Sequence, residues 1–131
     1  MTDILENLTK TIDFIKLESP NSKIIILGSV PQWKPSLPII LIRENITLNR
    51  SNYIQLLSYK KLKNVDEKLS ALANIKKVEF ISILDNLCVN RKCLATTEYK
   101  SKFWPTAWDS GHLTEAGSVH LYTKMRELIH K

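Results

Sequence analysis

Two side chains near the C-terminal end of the chain have the types and spacing of an acid–base pair. Asp109 and His112 stand three residues apart in the stretch Trp-Asp-Ser-Gly-His-Leu-Thr-Glu-Ala-Gly-Ser, residues 108–118. A histidine acting as general base needs one ring nitrogen facing the nucleophile. A carboxylate on the other nitrogen selects the tautomer and stabilises the imidazolium. The residues that follow suit a rigid exit from such a loop. Thr114 is a good helix N-cap, and Glu115 suits the positive end of a helix dipole. Asp-x-x-His alone is a weak signal, since a turn aspartate beside a solvated histidine has the same spacing. The rest of the chain has to decide.

The elements that must position the pair are those of one domain. At 131 residues the chain is long enough for a single core that buries about two-thirds of its unfolded surface. Its hydrophobic share of 44% and charged share of 24% are those of an ordinary globular protein. The net charge of +6 comes largely from lysine, and Lys60, Lys61, Lys63, Lys68, Lys76 and Lys77 cluster in mid-chain. With no aromatic-rich groove motif or nucleic-acid module beside them, the cluster reads as a solvated helix face, and nucleic acid is disfavoured as a partner. No stretch is apolar and long enough to span a membrane, and the N-terminus lacks the regions of a signal peptide. Taken as written, the chain is expected in the cytoplasm. No cofactor motif and no metal-ligand spacing is present; His112 and His120 do not make a His-Glu-x-x-His pair.

Apolar spacing orders the elements. Leu5, Leu8, Ile12 and Ile15 predict an amphipathic helix over 3–17, with Asp3 as its N-cap and Glu6 three residues on. Ser19-Pro20-Asn21-Ser22 breaks it. Lys23 to Leu27 predicts a strand without polar alternation, the pattern of a parallel strand buried on both faces. The loop 28–38 carries three prolines and leaves the end of that strand, where α/β folds place their sites. Trp33 in it is a candidate pocket wall, or equally a packing anchor, and Ser36 is a candidate cap for a helix near Pro38. Residues 39–75 read as helical in two or more pieces, broken near Asn49, Ser51 and Asn52, with Val65, Leu69 and Leu72 as a buried stripe. A second strand is predicted over 78–84, with Val78, Phe80 and Ile83 in the core. Residues 85–107 read as a long irregular loop of the kind that is often functional. A last helix over 114–130 buries Leu121, Tyr122, Met125, Leu128 and Ile129. His120 and His130 on it read as ordinary boundary residues.

Three pieces occur in a telling order: Ile-Leu-Gly-Ser-Val-Pro-Gln-Trp (26–33), Ser-Ile-Leu-Asp-Asn-Leu-Cys with a partner cysteine (82–93), and Trp108 to Ser118. Together they resemble the C-terminal half of SGNH (GDSL-type) hydrolase domains. The likeness is greatest to those fused to integral-membrane O-acyltransferases that decorate bacterial cell-surface glycans. The resemblance covers nearly the whole chain and is strongest from Asp109 to Ser118. It implies an α/β class: a flavodoxin-like α/β/α sandwich with a mainly parallel sheet, here without its N-terminal strands, so that 1–131 is a single truncated domain. It implies His112 as catalytic base and Asp109 as the acid that orients it, in serine acyl transfer on acyl (acetyl) esters of glycans. Trp33 and Trp108 are its candidate pocket residues.

The departures matter as much. The chain has no Gly-Asp-Ser block, no Gly-x-Ser-x-Gly and neither upstream block for the oxyanion hole. Ser29 and Ser110 do not match the nucleophile position. The chain alone is therefore expected to be inactive. As an alternative, it is a non-catalytic remnant or a glycan-binding module. A missing neighbour strand would leave an apolar edge at 24–27, predicting self-association or dependence on an upstream half-domain or a membrane acyltransferase part. Cys88 and Cys93 read as free thiols if the chain stays cytoplasmic. They read as a small disulfide loop if it belongs to a longer, extracytoplasmic protein, which is where the resembled domains reside.

Overall fold

The computed structural model describes residues 2–131. The chain opens with α1 (Thr2–Glu18), whose Ile12 is buried while Leu5, Leu8 and Ile15 flank it on the same face. Asp3 lies inside the first turn, where it faces the positive end of the dipole, and does not occupy the expected cap position. Strand β1 (Ile25–Leu27) follows, then α2 (Leu37–Arg43), β2 (Asn52–Gln55), α3 (Tyr59–Lys76) and β3 (Glu79–Ile81). Ser36 stands at the α2 N-cap position but makes no side-chain capping bond.

β1 and β3 form a two-stranded parallel sheet in the register Ile25↔Glu79, Ile26↔Phe80 and Leu27↔Ile81. The α/β class holds, with helices α1 and α3 packed against this pair through Ile12, Ile26 and Ala73. β1 is not buried on both faces, however. Leu27 is half exposed, because β1 pairs with β3 alone among the described residues and its other edge is open.

The larger sheet is antiparallel and lies where the sequence suggested helix and loop. It comprises β2, β4 (Cys88–Val89), β5 (Lys92–Tyr99) and β6 (Lys102–Pro105), with β5 paired to each of the other three. The predicted strand 78–84 stops at Ile81. Ser82 then caps a short helix, α4 (Ile83–Leu87), by accepting from the Asp85 N–H at 3.0 Å. The supposed loop 85–107 is two hairpins. Each turns on two residues with positive φ, Asn90–Arg91 and Lys100–Ser101, as a two-residue type I′ connection demands. Neither pair carries the glycine that usually announces such a turn. Residues Cys93 to Thr97 are all buried, so β5 lacks the polar alternation of a one-sided strand.

Helix α5 (Glu115–Ile129) closes the fold. Thr114 caps it as expected, its Oγ1 accepting from the Gly117 N–H at 3.1 Å. Leu121 and Met125 are buried against Ile81, Ile83 and Leu87, whereas Tyr122 and Leu128, expected in the core, are exposed. The buried face instead begins with Ala116 and Gly117, which let the first turn approach the Thr106 carbonyl closely. The lysine cluster is partly spent within the chain: Lys63 pairs with Asp85 at 2.8 Å and Lys76 with Asp13.

Candidate active site

The Asp109–His112 loop joins β6 to α5 and is tied down from below and from the side. Ala107 and Leu113 bridge across its base, the Thr114 N–H donates to the Thr106 carbonyl at 3.0 Å, and the Thr114 hydroxyl donates to the Pro105 carbonyl at 2.6 Å. The Trp108 N–H donates to the His112 carbonyl at 3.1 Å, closing the tip. From the side, the loop between β1 and α2 leans on it. The Trp33 N–H donates to the Ser110 carbonyl at 2.7 Å and the Leu37 N–H to the Asp109 carbonyl at 3.2 Å. The proline-rich loop is thus the bracket of the pair.

Within the tip, Asp109 folds back on its own chain. Oδ1 accepts from the Gly111 N–H at 2.8 Å and from the His112 N–H at 2.7 Å, an Asx turn. Oδ2 faces His112 Nδ1 at 2.6 Å. The His112 N–H, then that of Gly111, pulls the Asp109 pKa down from 3.8 to about 2, with partial desolvation opposing and the His112 ring adding to the fall. An ionised carboxylate only accepts, so Nδ1 must carry a proton and donate it. In the neutral ring, Nε2 is then the free base. The ring stacks on Trp108 with centroids 5.2 Å apart and planes 19° apart, and it is 76% exposed. The arrangement can hold an imidazole in one tautomer with its basic nitrogen available.

The structure separates the other candidates. Trp33 is only 2% exposed, packs among Leu37, Leu41, Leu84 and Ala95, and also lines a groove with Pro35, Ile40 and Leu56. Trp108 is exposed and lines a cleft with Trp104 and Tyr99 beside the histidine. Cys88 and Cys93 are disulfide-bonded across β4 and β5, where they are register partners. Ser29 and Ser110 contribute backbone to the bracket, and among the described residues the His112 ring bonds Asp109 alone. His120 is half-buried, its pKa lowered by burial and by Lys124 nearby, and it lies 3.4 Å from the Thr97 hydroxyl, apart from the pair.

Three residues around the site escaped sequence reasoning. Asp66 on α3 is buried and accepts from the Ser29 N–H at 2.8 Å, holding the start of the bracket loop. A lone aspartate amid helix lysines carries no signal of that. Trp104 and Tyr99 were hidden by the reading of 85–107 as loop.

The profile of the SGNH domain fused to AT3 domains matches residues 2–127. The chain belongs to this SGNH family. Among solved structures, the periplasmic domain of a lipopolysaccharide acetyltransferase from Salmonella ser. Paratyphi A is similar with a TM-score of 0.78 and 30% identity. That match covers 97% of this chain and 49% of the other. A candidate platelet activating factor from Streptococcus pneumonia shares the fold with a TM-score of 0.63 and 21% identity, over 98% of this chain and 51% of the other. The SGNH chain described here therefore spans about half the length of both solved neighbours. No curated protein matches it significantly. Membership agrees with the AT3 acyltransferase part to which such domains are joined, and the Salmonella neighbour is a periplasmic domain. No helix among the described residues is long and apolar enough to cross a membrane.

Proposed function

We propose that this chain supplies the base and the orienting carboxylate of a serine acyl-transfer site that forms acyl esters of cell-surface glycans. The observation that carries the reading is the 2.6 Å contact from Asp109 Oδ2 to His112 Nδ1, on a carboxylate kept ionised by two backbone N–H groups. In the proposed cycle, a serine hydroxyl attacks the ester carbonyl as His112 Nε2 takes its proton. The imidazolium returns that proton to the departing alcohol, leaving an acyl-serine. A glycan hydroxyl then attacks the acyl-serine as Nε2 takes its proton, and the imidazolium returns that proton to the departing serine oxygen, leaving the acyl ester on the glycan. Asp109 stays ionised throughout and stabilises the imidazolium.

The serine and the oxyanion donors come from outside these 131 residues, since no Gly-Asp-Ser block is present. The open edge of β1 and the half-exposed Leu27 support completion by a further strand, from an upstream half-domain or from a second copy. By the same reading the working protein is extracytoplasmic, where the Cys88–Cys93 disulfide is stable.

Two measurements test the proposal. The 131-residue chain alone should hydrolyse 4-nitrophenyl acetate no faster than its His112→Ala variant; turnover lost on that substitution would mean an unrecognised nucleophile within the chain. In the cell that makes the protein, His112→Ala should lower O-acylation of the surface glycan at least about a hundredfold, the lower end for losing a general base. Acylation unchanged at equal protein level would overturn the catalytic role and favour a glycan-binding module.

A further inference from the structure

Beside the pair, on the side of the β5–β6 hairpin, lies a cleft of about 510 Å³ lined by Tyr99, Lys100, Trp104, Trp108, Thr114 and Glu115. Two of its walls are indoles left 45% and 61% exposed, Trp104 and Trp108. Large aromatic side chains are costly to leave in water, and here both are held in place. Trp104 Nε1–H donates to the Tyr99 carbonyl at 3.2 Å. The Tyr99 hydroxyl donates to Glu115 Oε1 at 2.5 Å, and Lys100 Nζ lies 5.1 Å from the centre of the Tyr99 ring. Trp108 is braced by its stack on His112. The cleft is thus two fixed aromatic faces with a cation and a carboxylate at the rim.

We propose that this cleft is a subsite for a sugar ring of the glycan, flanking the acid–base pair. A pyranose has the matching surface: an axial C–H face that packs on an indole through dispersion and weak C–H contacts, and a belt of hydroxyls that need donors and acceptors. Lys100 and Glu115 supply one of each at the rim. A fatty acyl chain would need an enclosed apolar slot, and a charged pair at its mouth would oppose entry. Trp108 stacks on His112, so its indole is the wall shared by the cleft and the acid–base pair. The role in glycan acylation rests on the acyl-transfer reading, whereas the binding does not.

The test reads binding only. The 131-residue chain, 15N-labelled at indole nitrogen, is titrated with methyl hexopyranosides and neutral hexopyranose oligosaccharides, with hexanoate as a control. The expected result is saturable shifts of the Trp104 and Trp108 indole signals at roughly millimolar sugar, with Trp33 unmoved. Trp108→Ala should weaken binding about tenfold, and Trp108→Phe should restore most of it. Both substitutions are at an exposed side chain, and unchanged Trp33 signals verify the fold. The proposal is overturned if no sugar gives saturable shifts. It is equally overturned if the Trp104→Ala/Trp108→Ala variant still binds, or if hexanoate moves these signals and the sugars do not. Sugar binding without any His112-dependent acylation in the cell would leave the subsite standing and remove the catalytic reading. His112-dependent acylation without sugar binding would do the reverse.

Discussion

Gly117→Ala is the substitution that most directly tests how the acid–base loop is anchored. Gly117 lies in the first turn of α5, fully buried, and a Cβ there would fall on the backbone carbonyl of Thr106, well inside the 3.0 Å that real Cβ atoms respect. The carbonyl cannot swing aside cheaply. Thr106 donates its N–H to the Ala95 carbonyl at 2.8 Å and its hydroxyl to the Leu94 carbonyl at 2.7 Å, and its own carbonyl accepts from the Thr114 N–H. Either α5 retreats from the sheet or these bonds loosen. Loosening two buried hydrogen bonds at about 1 kcal/mol each, plus the strain of overpacking, amounts to a loss of about 3 kcal/mol. A domain of this size has a total stability of about 5–15 kcal/mol, so the folded-to-unfolded ratio should fall by about a hundredfold or more. The gain in helix propensity from glycine to alanine, about 1 kcal/mol, works in the opposite direction and is smaller. Urea unfolding followed by circular dichroism checks this through a lower midpoint at unchanged slope. A loss under about 0.5 kcal/mol would refute the claim that α5 and the 106–114 loop are locked backbone to backbone.

Three further expectations follow from the same geometry. Carbon-13 NMR of the Asp109 carboxyl should give a midpoint near pH 2; because the folded value lies below the ordinary 3.8, its ionised form adds stability in full above that value and loses it as pH falls through about 2, and a midpoint at or above 3.8 would remove the Asx-turn account. Replacing Cys88 and Cys93 by serine should cost about 2 kcal/mol, the chain-entropy value for so short a loop, read as a lower urea midpoint; an unchanged midpoint would mean that the bond adds nothing beyond the hairpin. Trp33→Ala should cost about 4 kcal/mol by emptying a core site, and a loss below about 1 kcal/mol would show that the proline-rich loop is not held by that ring.

Much of the outline was legible in the residues. The helices α1, α3 and α5 follow from apolar spacing alone, since a helix that packs on a sheet needs one apolar stripe and nothing more global. Thr114 was readable as a cap because capping is a local matter of one hydroxyl and one N–H. The pair Asp109 and His112 was legible as two residues three apart, and the turn that joins them is closed by Asp109 itself. The antiparallel sheet was not legible. β5 is covered on both faces and so shows no alternation, and its hairpins turn on Asn90–Arg91 and Lys100–Ser101, which carry positive φ without glycine. β2 was lost inside a helical reading because four residues paired across a bulge give no local pattern.

The sequence by itself thus determined the chemical types, the helical faces, the family resemblance and the absence of a Gly-Asp-Ser nucleophile block. These depend on residue identity and on contacts within a few positions. Only the tertiary structure decided that Trp33 is core while Trp104 and Trp108 wall a cleft beside His112. It also decided that a buried Asp66 and the β1–α2 loop brace the acid–base tip from across the fold. Burial and bracing depend on which distant segments meet, and that is set by strand pairing rather than by any spacing along the chain.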